Sequence, residues 1–131
     1  MAKGSQILSL EGLCKYFPLK QTVAEMVHGT SKMIRAVDDI SFEVSRGTTF
    51  GLVGESGCGK TTTSKVILRL YRPTAGRVLF QGIDLHGNLS RSDSSILHRD
   101  IQAVFQDPAA SLDPRMTIGQ IVEEPLEIHK I

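Results

Sequence analysis

The eight residues Gly54-Glu55-Ser56-Gly57-Cys58-Gly59-Lys60-Thr61 fit the pattern G-x-x-x-x-G-K-[S/T] at every fixed position. A polyphosphate carries several negative charges, and backbone N–H groups aimed inward are the least demanding way to hold it. Glycines permit the turn this needs and let the backbone approach without Cβ clashes. Glu55, Ser56 and Cys58 fill the free positions of the loop, where their amides join the cradle. A helix beginning near Gly59 adds its unpaired amides and positive pole. Lys60 is placed to reach β- and γ-phosphates, the Thr61 hydroxyl to ligate Mg²⁺, and Thr62 to meet the α-phosphate. Cys58 reads as a tolerated small residue whose thiol, at a helix N-terminus, also offers a chemical probe.

Such a loop needs a strand before it and a helix after it. The run TFGLV reads as a short buried strand leading into Gly54. Thr63, Val66, Ile67 and Leu70 then fall at i, i+3, i+4 and i+7, one face of a helix that Pro73 stops after Arg69 and Arg72. Upstream, QILSLEGL reads as an edge strand and DISFEV as a half-buried one, with Ile40, Phe42 and Val44 inward and Ser45-Arg46-Gly47 turning the chain. Residues 18–35 look like an exposed insertion. GRVLFQGIDL predicts a hairpin turning at Gln81-Gly82, Ser92 to His98 a short helix, and IQAVF a strand. Pro108, Pro114 and Pro125 break the C-terminal stretch into loops and short pieces. Thr117 and Gln120 have capping-box spacing, so a helix is expected to begin at Ile118. The order predicts an α/β fold with an N-terminal antiparallel β flank.

The 131 residues include 40% hydrophobic and 22% charged side chains, an ordinary globular balance. Fifteen Lys+Arg against fourteen Asp+Glu argue against a broad electrostatic grip on nucleic acid or anionic lipid. No apolar run reaches the roughly 18 residues of a membrane span, and the first ten residues hold no secretory signal. Cys14 and Cys58 make no disulfide framework and suit a reducing compartment. His28, His86, His98 and His129 show no metal spacing and read as exposed polar residues, and Asp107 and Asp113 read as loop residues.

Two blocks carry a resemblance. The stretch from Arg35 to Leu85 resembles the first half of an ABC transporter ATPase, a P-loop NTPase core. IQAVFQDPAASLDPRMTIGQIVEEPL is similar to the ATPase subunits of oligopeptide, dipeptide and nickel importers, most of all the second of their two ATPase subunits. The resemblance implies ATP and Mg²⁺ as ligands, with Gln106 as a Q-loop glutamine contacting the metal and the attacking water. It implies an aromatic residue stacking on adenine after the first strand. Tyr16 and Phe17 are both offered, spacing favouring Phe17. It also implies a sister ATPase, two permease subunits, an indirectly coupled binding protein, and a cytoplasmic place on the inner face of the membrane.

The Leu-Ser-Gly-Gly-Gln signature, the Walker B aspartate, the catalytic glutamate and the switch histidine of that family do not occur in these 131 residues. The expectation is therefore a truncated core, residues 1–131 running to the start of the helical subdomain. Such a core would hold ATP without hydrolysing it alone and would be poorly soluble. Other readings are a stand-alone nucleotide-binding regulator, for which binding without turnover even beside a sister subunit would speak, and a small-molecule kinase. The second block argues against the kinase.

Overall fold

The computed structural model describes residues 6–19, 32–105, 107 and 112–129. Contacts divide the chain into two compact units, Met1–Leu89 and Ser90–Ile131.

The first unit is built on a four-stranded antiparallel sheet of order β2-β1-β3-β4: β1 Gln6–Pro18, β2 Met33–Ser45, β3 Ala75–Phe80 and β4 Ile83–Asp84. β1 is not the edge strand its loose apolar spacing suggested. It pairs with β2 on one side and β3 on the other, so Leu10 faces both Phe42 and Val78 across the ladder. Pro18 closes β1 and Met33 opens β2, so both ends of the expected 18–35 insertion are strand. Its middle, residues 20–31, lies outside the described residues. The helix α1 (Lys60–Ile67) packs against β2. Leu10, Leu13, Val37, Val66, Val78, Phe80 and Leu85 form the buried apolar set of this unit. Each such aliphatic side chain contributes about 1.5–3 kcal/mol relative to exposure.

Several local rules hold. β2 alternates half-buried Ile40, Phe42 and Val44 with exposed Ser41, Glu43 and Ser45. Gln81 (φ 51°) and Gly82 (φ 83°) both take left-handed backbone, as a two-residue hairpin turn of this hand requires. Helix α1 ends earlier than Pro73 would dictate. Arg69 adopts φ 62°, its amide donates to the Val66 carbonyl at 3.0 Å and the Leu70 amide to that of Lys65 at 2.9 Å. That is a Schellman closure with arginine where glycine is usual, and it leaves Leu70 59% exposed, off the helical face.

The run TFGLV forms no strand. Residues 48–55 have no ladder partner, and Phe50, Leu52 and Val53 are exposed, Val53 to 92%. Strand character needs a neighbour to take its backbone groups, and no described strand pairs with this segment. Phe50 instead stacks on Phe42 of β2, ring centres 4.7 Å apart and planes 13° off parallel.

In the second unit, α2 (Arg91–Asp100) starts at a reciprocal capping box between Ser90 and Asp93, and α3 (Ile118–His129) at one between Thr117 and Gln120. The first helix is longer than expected, and α3 runs through Pro125 rather than ending at it. Residues 101–105, expected as a strand, are also unpaired, with Val104 fully exposed.

Candidate nucleotide site

Two bulges in β2 shape the site. Lys15 faces Val37 and Tyr16 faces Arg35, so Ala36 is an extra residue without a partner on β1. Leu13 faces Ile40, so one extra residue also falls between Val37 and Ile40, where Asp39 takes φ 51°. Bulges of this kind turn backbone and side chains out of the regular pleat. Here the Ala36 carbonyl is set against Gly59: a Cβ on Gly59 would stand 2.3 Å from that oxygen. Gly59 is also the N-cap of α1, at φ 94°, and no side chain caps the helix there. Only glycine meets both demands.

The uncapped amides of α1 face no acidic residue in the first turn. Lys60 folds back over the loop. Its ammonium donates to the carbonyls of Gly54 at 2.7 Å and Glu55 at 2.6 Å and to the Cys58 sulfur at 3.3 Å. The loop is thus wrapped round its own cation. The hydrogen bond from Lys60 holds the Cys58 thiol below its ordinary pKa, overcoming a smaller opposing effect of desolvation. Gly54 touches the same thiol, since a Cβ there would lie 2.6 Å from the sulfur. The Thr63 amide (2.8 Å) and hydroxyl (3.1 Å) both donate to the Gly59 carbonyl and tie loop to helix, while Thr61 is exposed and Thr62 half-buried.

These residues fit a nucleoside polyphosphate with a divalent ion. Free helix amides and one ammonium suit the phosphates, and an exposed threonine hydroxyl suits the metal. Among the described residues no group of three or more His, Cys, Asp or Glu could hold a metal alone. A divalent ion at this loop would therefore share its coordination with the nucleotide's oxygens.

A cavity of about 330 Å³ opens beside the loop, lined by Cys58, Gly59, Lys60 and Thr63 on one side and by Arg35, Asp38 and Val37 of β2 on the other. Tyr16 joins its rim through Asp38, whose carboxylate accepts the Tyr16 hydroxyl. That hydrogen bond raises the tyrosine pKa and lowers that of Asp38. Neither Tyr16 nor Phe17 is itself a lining residue of this cavity. The Phe17 ring meets Tyr71 edge-on at 5.3 Å, with the Lys15 ammonium 4.9 Å from its centre. Tyr16 thus meets the cavity wall through Asp38, while Phe17 packs on Tyr71. Gln106 lies outside the described residues. Asp113 is engaged by Arg115, whose guanidinium bonds it at 2.8 Å and holds its carboxyl below the usual range. His86 corrects a sequence expectation: it is half-buried, and its Nε2 meets the Val66 carbonyl at 2.9 Å. Arg35 and Asp38 were not singled out from sequence. They are three apart, which in a regular strand puts them on opposite faces, and the extra residue at Ala36 shifts the alternation so that both fall on one face.

A glycine-rich phosphate loop running into a helix, beside an antiparallel sheet, defines a nucleotide-binding domain of the P-loop class. The ABC transporter family profile matches residues 37–130, and the chain belongs to that family. It is 54% identical over 98 residues to the oligopeptide transport ATP-binding protein OppF of Bacillus subtilis (strain 168), covering 75% of this chain and 32% of that protein. It is 41% identical over 130 residues to AppF, an oligopeptide transport ATP-binding protein of the same strain, covering 99% of this chain and 39% of that one. The chain therefore spans a little over a third or less of these relatives' length. Among solved structures, the ATP-binding cassette MJ0796, a dimer in a post-hydrolysis state bound to ADP and Pi, matches with a TM-score of 0.69 at 24% identity. It covers 94% of this chain and 48% of that one, and it supports the fold.

Proposed function

We propose that this chain is the nucleotide-holding part of an ATPase subunit that powers oligopeptide import, binding Mg-ATP through Gly54 to Thr62. The observation that carries the reading is the loop itself: uncapped α1 amides, Gly59 pressed against Ala36, and a Lys60 ammonium held by carbonyls that phosphate oxygens can replace. The oligopeptide transport ATP-binding proteins among its relatives supply the cargo class. In that setting the subunit works with a sister ATPase and two permease subunits at the inner face of the membrane. Gln106 serves as the residue between metal, water and permease.

Each residue has a separate task. The amides of residues 57–61 orient the phosphate chain, Lys60 neutralises its terminal charge, and Thr61 offers its hydroxyl to Mg²⁺. Thr61 would help hold a Mg²⁺ ion brought with the nucleotide, and the ion would supply electrostatic stabilisation of the phosphate charge. The 131 residues carry no signature motif and no Walker B segment, which supports nucleotide binding with turnover near background for this polypeptide alone. The test is equilibrium titration of Mg-ATP against the chain and its Lys60→Ala variant. Loss of one charge-assisted contact of this kind weakens affinity by about ten- to a hundredfold. Equal affinity in the two would refute the assignment.

A further inference from the structure

The loop motif accounts for one wall of the 330 Å³ cavity but not for the wall made by β2. Arg35 stands on that second wall. Its guanidinium donates through Nη1 to Asp38 at 3.2 Å and lies 5.6 Å from the centre of the Tyr16 ring, so it is oriented from two sides. A guanidinium has five N–H donors in a planar fork, and the Asp38 contact takes one of them. Asp38, for its part, accepts from Tyr16 and Arg35 and lies within 3.9 Å of the Cys14 thiol. Its carboxylate is thus engaged within the protein, and its charge offsets part of that of Arg35. The backbone then brings this group to the loop, because the carbonyl of the next residue, Ala36, is the atom that touches Gly59.

A phosphate chain seated on the α1 amides therefore has the Lys60 ammonium on one side and a braced guanidinium across the cavity. Resting on the reading of the loop as a nucleotide site, we propose that Arg35 is a second cationic contact to the phosphates of the bound nucleotide, braced by Asp38 and Tyr16. The bulge at Ala36 is what gives the contact its reach. Planar donors suit phosphate oxygens better than a point charge does, so lysine at this position keeps the charge while losing part of the geometry.

The test is titration of the chain and its Arg35→Ala, Arg35→Lys, Asp38→Asn and Lys60→Ala variants with Mg-ATP, with inorganic tripolyphosphate as a competing probe. Arg35→Ala is expected to weaken both ligands by a similar factor of about five to ten. That is below the full value of a charge-assisted contact, because Asp38 offsets part of the charge and the side chain is partly solvated. Arg35→Lys is expected to recover part of the loss, and Asp38→Asn to weaken binding less than Arg35→Ala does. A purely structural role for the Asp38 pair predicts equal losses from removing either partner. Unchanged ATP affinity in Arg35→Ala beside weakened affinity in Lys60→Ala overturns the proposal and leaves the loop reading standing. So does a loss confined to ATP with tripolyphosphate unaffected, since Arg35 would then meet the nucleoside. If the unsubstituted chain binds neither ligand, the loop reading falls, and the proposal with it.

Discussion

Gly59→Ala tests the geometry of the site more sharply than any charge substitution. Two penalties act at this position. A side chain at φ 94° is in left-handed territory, which costs about 1–2 kcal/mol for a residue other than glycine. The added Cβ would also stand 2.3 Å from the Ala36 carbonyl oxygen, a backbone atom on a bulge of β2 that cannot swing aside as a side-chain tip can. Overpacking of this kind costs about 1–3 kcal/mol, so the sum is about 2–5 kcal/mol. Gly57→Ala is the matched control. It carries the same conformational penalty, at φ 85°, but has no atom within 4 Å of its added Cβ. Urea unfolding followed by far-UV circular dichroism gives the free energy of each variant. Gly59→Ala is expected to lie below Gly57→Ala by about 1–3 kcal/mol, the contact contribution alone. Equal losses in the two variants would refute the argument that the Ala36 carbonyl is pressed against the loop.

Burial lowers the His86 pKa against smaller opposing contributions from the Val66 carbonyl and Asp84, so between the unfolded value of 6.5 and the lower folded value the unfolded chain binds more protons. Stability is therefore expected to fall as pH drops through that window, and His86→Gln to flatten the dependence in unfolding titrations at pH 5 to 7.5. Arg69→Gly should stabilise the chain by up to about 1 kcal/mol in the same assay, because glycine accepts the left-handed φ of 62° that closes α1. Cys58 should be alkylated by iodoacetamide faster than Cys14, and Lys60→Ala should move its pH–rate profile upward; an unmoved profile would show that the ammonium does not act on the thiol. Ser90→Ala removes the side chain that caps α2 and is expected to cost about 1 kcal/mol, read as lost helicity.

What could be read from the sequence was what is decided locally. Gln81-Gly82 needs only its own backbone preferences to make a turn, and Thr117 and Gln120 need only each other to cap a helix. The cap of Ser90 and Asp93 is equally local, yet the expectation of a helix from Ser92 misses it and starts too late. The phosphate-loop pattern is local as a sequence, contained in eight residues, although the contact of Gly59 with Ala36 is not. The other failures belong to features decided at a distance. TFGLV and IQAVF have strand composition, but a strand exists only where another takes its hydrogen bonds. The interior position of β1 depends on β3, more than fifty residues further along the chain. The Arg35–Asp38 pair depends on a register slip that no spacing rule reveals.

The arm that leads into the phosphate loop has a further consequence. Residues 49–55 make no strand hydrogen bond, and the ring stack of Phe50 on Phe42 fastens the arm near its start. Between Phe50 and Val53, ahead of the carbonyls that Lys60 takes, a stretch of chain outside any ladder is a template able to accept a neighbouring strand. The segment that delivers Gly54 to its ligand is therefore also the place where this unit can grow a larger sheet. Whatever strand settles there will stiffen the loop from behind, by gripping its arm, without touching the nucleotide.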